Sequence, residues 1–153
     1  MKAKTTISAI AMLAAACSMD NDVALNAYSH IEGGEWGSQD VRPFVLNTVK
    51  VAGDYTLSVN LRTTTEVPLQ QVYVCVEQQL ANPSAHMKDT LLIRLTDDKG
   101  KMLGKGFALY NYQASLPRPT HLSKGQCGEI RIRHIMRLSP LHGIVDVGIK
   151  MEK

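Results

Sequence analysis

The feature that most constrains the fold is a strict alternation of apolar and polar residues in segment 55–62. Apolar side chains occupy every second position from Tyr55 to Leu61, and polar side chains fill the positions between them. A period of two is the spacing of a β-strand with one buried and one solvent-facing side. Beyond the N-terminal segment, no stretch keeps the 3.6-residue period of an amphipathic helix. The chain is therefore predicted to consist of strands.

Further segments alternate in the same way and are separated by turn signals. Strands are predicted near residues 41–51, 55–62, 72–77, 89–96, 102–109, 129–137 and 145–152. Pro43 cannot donate a backbone hydrogen bond, which predicts an edge position for the first of them. The segment Asp97–Gly100 is typical of a hairpin turn. This pattern predicts an all-β fold, an antiparallel β-sandwich for which a jelly roll is one arrangement.

The N-terminal segment carries a pattern that belongs to targeting. Lys2 and Lys4 precede an apolar run over residues 7–16, and three alanines lead to Cys17. This layout predicts a cleaved signal peptide of the lipoprotein type, in which Cys17 is acylated with chains such as palmitate and becomes the first mature residue. An ordinary signal peptide that leaves Cys17 as a free thiol is the alternative. The run is too short for a membrane-spanning helix, which needs about 20 residues.

Three units follow from this segmentation: a lipoprotein signal peptide over residues 1–16, a lipid-anchored tether over 17–27 and a β-sandwich domain over 28–153. The tether is acidic at Asp20 and Asp22. Acidic residues after the lipid cysteine resemble the export signal of surface lipoproteins in Bacteroidetes, although a solvated spacer has the same composition. We expect an outer-membrane lipoprotein, with the cell surface favoured over the periplasmic face.

Length and charge limit the partners. Removing residues 1–16 leaves 137 of the 153 residues, which is enough for one domain with its own core. The net charge of +3 falls to +1 because two lysines leave with the signal. So small a charge predicts no nucleic-acid partner. No second apolar run is long enough to span a membrane, so the lipid is the predicted membrane attachment.

Two cysteines remain in the mature chain, Cys75 and Cys127. An even pair in an oxidising compartment permits a disulfide. Cys75 also lies among the alternating valines of segment 72–77, where a buried free thiol packs like a small hydrophobic residue. Both states are open from the sequence. Neither cysteine has the CxxC spacing of a metal or redox site.

Three aromatic residues are the candidates for a binding surface. Trp36, Tyr110 and Tyr112 lie in predicted loops, where such residues either bind a glycan or a protein or cap the ends of a sandwich core. The loops at one end of the sandwich, around Trp36 and the segment Tyr110–Pro119, are the predicted contact region, because loops on a rigid scaffold vary at little cost to the core.

The sequence predicts neither a catalytic nor a metal site. Asp97 and Asp98 are interpreted as turn residues rather than calcium ligands. No combination of nucleophile, base and oxyanion donor can be assembled, so we expect no enzyme activity and no cofactor. The histidines are scattered without metal-ligand spacing: His30, His86, His121, His134 and His142.

Short pieces along the mature chain occur in an order shared with a known family. They are Tyr28, Trp36, Asp54-Tyr55, Leu57, Asn60-Leu61-Arg62, Pro68, Asp89-Thr90, Leu95, Gly100, Leu103-Gly104-Lys105-Gly106, Met136-Arg137 and Leu141–Ile149. Through these pieces the chain resembles the GldH gliding-motility lipoprotein family of Bacteroidetes over nearly its whole mature length. Gln70-Gln71 departs from the family pattern. The resemblance implies an outer-membrane lipoprotein associated with gliding and secretion machinery, and it implies no catalytic residues.

Two functional classes follow. The first is a non-catalytic accessory lipoprotein of an envelope machine that acts through contacts with envelope proteins. The second is a surface lipoprotein that binds glycans, because β-sandwiches often carry sugar sites, which is an analogy at the level of the fold. Capture of envelope proteins would favour the first class, and retention on a glycan array would favour the second.

Overall fold

The computed structural model describes residues 21–153, so the predicted signal peptide and the lipidation site Cys17 lie outside the described residues. One 3-10 turn, η1 (Glu32–Gly34), interrupts a chain of strands. The strands are β1 (Val23–His30), β2 (Glu35–Trp36), β3 (Arg42–Leu46), β4 (Gly53–Thr64), β5 (Gln71–Ala81), β6 (Ala85–Arg94), β7 (Lys105–Gly106), β8 (Leu109–Ser115), β9 (Thr120–Leu122), β10 (Cys127–His134), β11 (Leu141–His142) and β12 (Ile144–Glu152). Within residues 21–153, no helix is long and apolar enough to cross a membrane.

The strands form two packed sheets. The first sheet has the order β1-β12-β4-β8-β7, with β9 pairing the beginning of β4, and the second has the order β3-β10-β5-β6. The short strands β2 and β11 form a separate pair. Every pairing is antiparallel. The prediction of an all-β fold with antiparallel sheets is confirmed.

The connections explain the sandwich form. Among the long strands, β5 and β6 are consecutive neighbours in one sheet, whereas β3 to β4, β4 to β5, β6 to β8 and β10 to β12 each cross between the sheets. Frequent crossing of this kind is typical of jelly-roll sandwiches. The hairpin from β5 to β6 turns through Asn82, whose φ of +61° lies in the left-handed region that asparagine tolerates.

The alternation in segment 55–62 builds the centre of the core. Leu57, Val59 and Leu61 on β4 are fully buried among apolar residues of both sheets. The positions between them are not uniformly solvated, however, because Ser58 is only 2% exposed and Asn60 is also buried. Strand β4 lies between β12 and β8, so neighbouring side chains cover its second side as well.

The N-terminal boundary of the domain needs correction. The sequence predicted a tether up to residue 27, but β1 begins at Val23 and pairs along β12 as far as Glu152. The Lys153 N–H also donates to the carbonyl of Asp22, at 2.9 Å. Residues 23–27 are therefore part of the sheet, because β1 covers the edge that β12 would otherwise leave open.

Several predicted strands have different bounds in the structure. The first is confined to β3, which is an edge strand as Pro43 predicted. The Asp97–Gly100 turn is confirmed, with the Asp97 carboxylate accepting the N–H groups of Lys99 and Lys101 at 2.9 Å. The strand predicted at 102–109 is reduced to a bridge at Met102 and the two-residue β7. The main strand lies later, at β8, in a segment interpreted from the sequence as a loop.

Two ends of the sandwich can be defined from these elements. The anchor end holds the beginning of β1 and loops 47–52, 82–84, 116–119 and 123–126. The distal end holds loops 31–41, 65–70, 95–104 and 135–140. The lipidation site predicted at Cys17 precedes the anchor end, because β1 starts there.

Candidate functional site

Trp36, a candidate binding residue, belongs to the core. Its side chain is 0% exposed, and its indole N–H donates to the Asp40 carbonyl at 2.9 Å. The ring packs edge-to-face on His134, with centroids 5.2 Å apart. His134 Nε2 donates to the Trp36 carbonyl at 3.0 Å, while Nδ1 accepts the Met136 N–H at 3.3 Å. Trp36 caps the distal end of the core, which corrects its prediction as a binding residue.

Burial also sets the electrostatics of that cap. The partners of His134 assign the neutral ring with its proton on Nε2, because Nδ1 must accept a hydrogen bond. Burial lowers the pKa of His134, and the hydrogen bond to the Trp36 carbonyl opposes this shift only in part. Protonated Nδ1 could no longer accept the Met136 N–H, so the hydrogen bonds at this end of the core require the neutral histidine.

The two tyrosines do not form the predicted surface either. Tyr112 is 6% exposed, its hydroxyl lies 3.8 Å from Met102 Sδ, and burial raises its pKa. Tyr110 is partly buried and packs against the core. The predicted contact region is divided as well, because Trp36 lies at the distal end and Pro119 at the anchor end. With Trp36 and Tyr112 buried, two of the three aromatics predicted to bind a glycan or a protein are not at the surface.

A different set of residues lies together on the outer side of the first sheet. The strand register places His30 beside Asp146, Asp146 beside Arg62, and Arg62 beside Asn111. These four residues, one each from β1, β12, β4 and β8, are called the polar row below.

Hydrogen bonds run along the polar row from end to end. His30 Nδ1 lies 3.0 Å from Asp146 Oδ1, and Arg62 Nη1 donates to Asp146 Oδ2 at 2.9 Å. Arg62 Nε donates to Asn111 Oδ1 at 3.0 Å, and Asn111 Nδ2 donates to the Lys105 carbonyl on β7 at 3.2 Å. Asp146 is only 9% exposed, so each of its oxygens has exchanged water for a protein partner.

An irregularity in β12 lies directly beside the row. The register between β12 and β4 shifts between Ile144 and Asp146, which leaves Val145 as the extra residue of a β-bulge. Val145 is only partly buried, and Ile144 before it lies in the core at 0% exposure. Bulges re-aim the side chains that follow them. Here the residue that follows is Asp146.

A tyrosine lies next to the polar row on the same face. Tyr28 is opposite Gly148 in the register, and a Cβ at Gly148 would lie 2.6 Å from the ring atom Cδ1. The Arg62 guanidinium lies 5.1 Å from the centroid of the ring. The ring is 50% exposed, while Asn60 and Gln113 continue this second row on β4 and β8. The two rows together are called the polar face.

The second sheet has a contrasting outer side. Arg131 faces Glu77 across the β10–β5 ladder, and Glu77 faces Lys88 across the β5–β6 ladder. His86 Nε2 lies 2.8 Å from Glu77 Oε1. Hydrogen bonds from His86 and Gln79 hold the pKa of Glu77 below its usual value. This is a solvated charge ladder.

Both described cysteines are free thiols. Cys75 is opposite Arg133, and Cys127 lies six residues earlier on β10, which separates the two by about 20 Å at 3.3 Å per residue. A disulfide needs Cα atoms within about 7 Å. Of the two states that the sequence left open, the structure has the free thiols. Among residues 21–153 there is no cluster of three or more His, Cys, Asp or Glu side chains that could hold a metal ion.

Comparison with known proteins decides the family. The model of the GldH lipoprotein family matches residues 23–151, which is the whole folded domain from β1 to β12. The chain belongs to the GldH lipoprotein family.

A curated relative agrees with the family match. The chain is 28% identical over 156 residues to a protein described as gliding motility lipoprotein GldH from Flavobacterium johnsoniae, covering 95% of this chain and 96% of the relative. Among solved structures, Eiger TNF from S. frugiperda aligns at 7% identity with a TM-score of 0.39, covering 86% of this chain and 93% of that one. The latter likeness is too loose to support an argument.

The pieces that carried the GldH resemblance include part of the polar face but were assigned no role. Tyr28, Arg62, Asp146 and Gly148 all occur in these pieces. Sequence reasoning missed the site because its members, such as His30 and Asp146 at 116 residues apart, meet only through strand pairing. The alternation pattern could have indicated it. Arg62 and Asp146 both occupy polar positions of alternating segments, which places both on the outer side of the sheet.

Proposed function

We propose that this GldH-family protein is a non-catalytic accessory lipoprotein of the gliding and secretion machinery, and that it binds an envelope protein through the polar face. The observation that carries the proposal is the convergence of four strands on the polar row. Lipid attachment at Cys17 would hold the domain at the outer membrane, where confinement raises its effective concentration near a partner.

The hydrogen bonds of the polar row favour recognition over catalysis. Both oxygens of Asp146 are engaged, and Arg62 spans Asp146 and Asn111. A general base would need a free atom within reach of a substrate proton, together with a nucleophile or an acid. The groups left for a partner are the exposed ring of Tyr28 and the outward edge of His30. A rigid aromatic ring beside an arginine is a common centre of protein interfaces.

Site-specific photo-cross-linking in intact cells tests the contact. A photoreactive phenylalanine analogue at Tyr28 should form a discrete adduct with an envelope protein. The same analogue at Leu92, which is similarly exposed on the second sheet, is the matched control. Adducts only from Leu92, or identical adducts from both positions, would contradict the proposal.

The anchor has a separate test. Cys17→Ala should abolish fatty-acid labelling and release the protein from membranes, because each buried methylene contributes about 0.8 kcal/mol to membrane binding. Unchanged retention of the variant would refute lipidation. Asp20→Ala combined with Asp22→Ala should reduce protease shaving of intact cells without changing lipidation, if the acidic residues direct surface export.

A further inference from the structure

The sandwich is open along one long side. Strand β8 is at the margin of the first sheet and β6 is at the margin of the second, and the two approach each other without pairing. Strand β7 pairs only with Tyr110 and Asn111 of β8. Among residues 21–153, no strand pairs with the outer edge of β8 beyond Asn111. An uncovered strand edge is a template for another extended chain.

The direction of the free backbone groups follows from one hydrogen bond. The Leu116 N–H donates to the Leu57 carbonyl at 2.9 Å, so Leu116 is turned towards β4. In an antiparallel ladder, alternate residues turn towards opposite neighbours. Tyr112 and Ala114 therefore bond to β4, while Gln113 and Ser115 direct their N–H and C=O groups outward from the sheet.

Two cavities follow one another along this open side. The first, of about 640 Å³, is bordered by Gln113 and Ser115 of β8 and by Ile93 of β6, and it extends to Tyr28 and Asn60 on the polar face. The second, of about 400 Å³, continues between Met87 on β6 and segment 116–120. The two cavities together are called the open groove below.

The charge of the open groove is one-sided. Arg94 and Lys105 line the first cavity, and Lys88 and Arg118 line the second. Asp89 is the one carboxylate among the residues that line them. Arg94 has a loose partner, because its Nη2 lies 3.7 Å from a carboxylate oxygen of the fully exposed Asp98. A net positive groove attracts a ligand that carries carboxylates.

We propose that the open groove binds an extended acidic segment of a partner protein, which adds a strand to β8 beyond Asn111. Its backbone would bond to Gln113 and Ser115, and its acidic side chains would meet Lys105 and Arg118, with Lys88 and Arg94 at the rim on the outer side of β6. This is strand addition, in which backbone bonds supply affinity and side chains supply selectivity. The groove adjoins the polar face, because Tyr28 and Asn111 also line its first cavity. The free strand edge at Gln113 and Ser115 is a separate element, so peptide binding there can fail while the proposed contact at Tyr28 holds, and the reverse.

Backbone substitution offers a sharp test. Gln113→Pro removes one outward N–H and leaves the bonds to β4 in place, whereas Gln113→Ala keeps that N–H and is the matched control. The probe is a fluorescent short peptide in which glutamate alternates with valine, measured by anisotropy against a lysine–valine counterpart. The wild type and Gln113→Ala should bind the acidic peptide. Gln113→Pro should bind it about fivefold to tenfold more weakly, as expected for one lost hydrogen bond.

A second experiment tests the contribution of charge to peptide binding. Arg118→Glu should weaken binding of the acidic peptide and reduce the dependence of that binding on salt. Lys124→Glu is the control and should change neither quantity, because Lys124 lies in a loop at the anchor end and does not line the groove. Equal binding of both peptides, or equal binding by Gln113→Pro and Gln113→Ala when both variants keep the wild-type melting temperature, would overturn the proposal. A concentration-dependent dimer in sedimentation that Gln113→Pro abolishes would also overturn it, by assigning the groove to a second copy.

Discussion

The outer faces of the two sheets carry charged residues in similar rows but organise them differently. On the first sheet, Asp146 is buried and holds one partner on each oxygen. On the second, Glu77 is partly exposed and lies between two cations across the ladder, neither of which is within 4 Å of it among the described residues. The first row holds its carboxylate out of water, whereas the Glu77 carboxylate is hydrogen-bonded to exposed side chains, His86 and Gln79, that water can replace.

The difference shows which of the two outer faces has a carboxylate held in place by the fold. Exposed ion pairs contribute little to stability, so a solvated charge ladder needs no function to explain it. Burying a carboxylate costs free energy unless its hydrogen bonds are replaced, and the protein replaces them with residues from two other strands. A bulge at Val145 and a glycine at position 148 accompany the polar row. Such features are expected where geometry is selected for recognition.

The largest effect should come from removing the centre of the polar row. Asp146→Ala deletes two charge-assisted hydrogen bonds and should lower the free energy of unfolding by about 2 kcal/mol. Arg62 and His30 are partly exposed and can turn to water, which limits the cost. Urea denaturation measures it. Glu129→Ala on the second sheet is the matched control, and an equal loss there would erase the distinction between the faces.

The next effect concerns the glycine under Tyr28. Gly148→Ala places a methyl group 2.6 Å from the ring, so the ring must move, and we expect a loss of about 1 kcal/mol. In a Tyr28→Ala background the same substitution should cost nothing, because the clash is gone. A double-mutant cycle of unfolding free energies measures the coupling. Additive losses would show that the ring does not depend on Gly148.

The dependence of stability on acid pH should reveal the buried histidine, His134. Because the pKa of His134 is lowered in the folded protein, the unfolded chain binds more protons, and stability falls as pH drops below about 6.5. The loss should be smaller in His134→Gln, which lacks the titrating ring. Thermal melts at pH 7.5 and 5.0 give the comparison. An identical acid dependence in both proteins would contradict the assigned role of His134.

The smallest effect on stability is expected from a substitution in the charge ladder of the second sheet. Glu77→Gln leaves a side chain that still accepts hydrogen bonds from His86 and Gln79, and water solvates the rest. We expect no measurable shift of the melting temperature at neutral pH. A shift as large as that of Asp146→Ala would mean that the ladder is a second fixed network.

The sequence predicted the parts of the fold that local pattern controls. Alternation located β4 and β12, and Pro43 marked an edge strand, because period and backbone chemistry act over a few residues. It failed where distant pairing decides the outcome. Ser58 is buried because two strands flank β4, and residues 23–27 form a strand because β12 offers them an edge.

The site was less predictable than the fold. Trp36 and Tyr112 are aromatic residues in predicted loops and were therefore predicted to bind a partner, yet both are buried. The polar row depends on the register of three ladders at once, and a shift of one residue in any ladder would separate its members. Residue type could not reveal it, since an arginine and an aspartate at polar strand positions usually face water.

The most direct test of the central claim compares partner capture by the two faces. Arg62→Ala and Arg131→Ala each remove one arginine from the middle of a row, on the first and second sheets respectively. Each variant is expressed in place of the wild-type protein, cross-linked in cells and purified, and the co-purified envelope proteins are quantified by mass spectrometry. Capture of a specific partner should fall at least about tenfold in Arg62→Ala and stay unchanged in Arg131→Ala, with both variants folded and membrane-bound. Unchanged capture by Arg62→Ala, or an equal loss in both variants, would contradict the account.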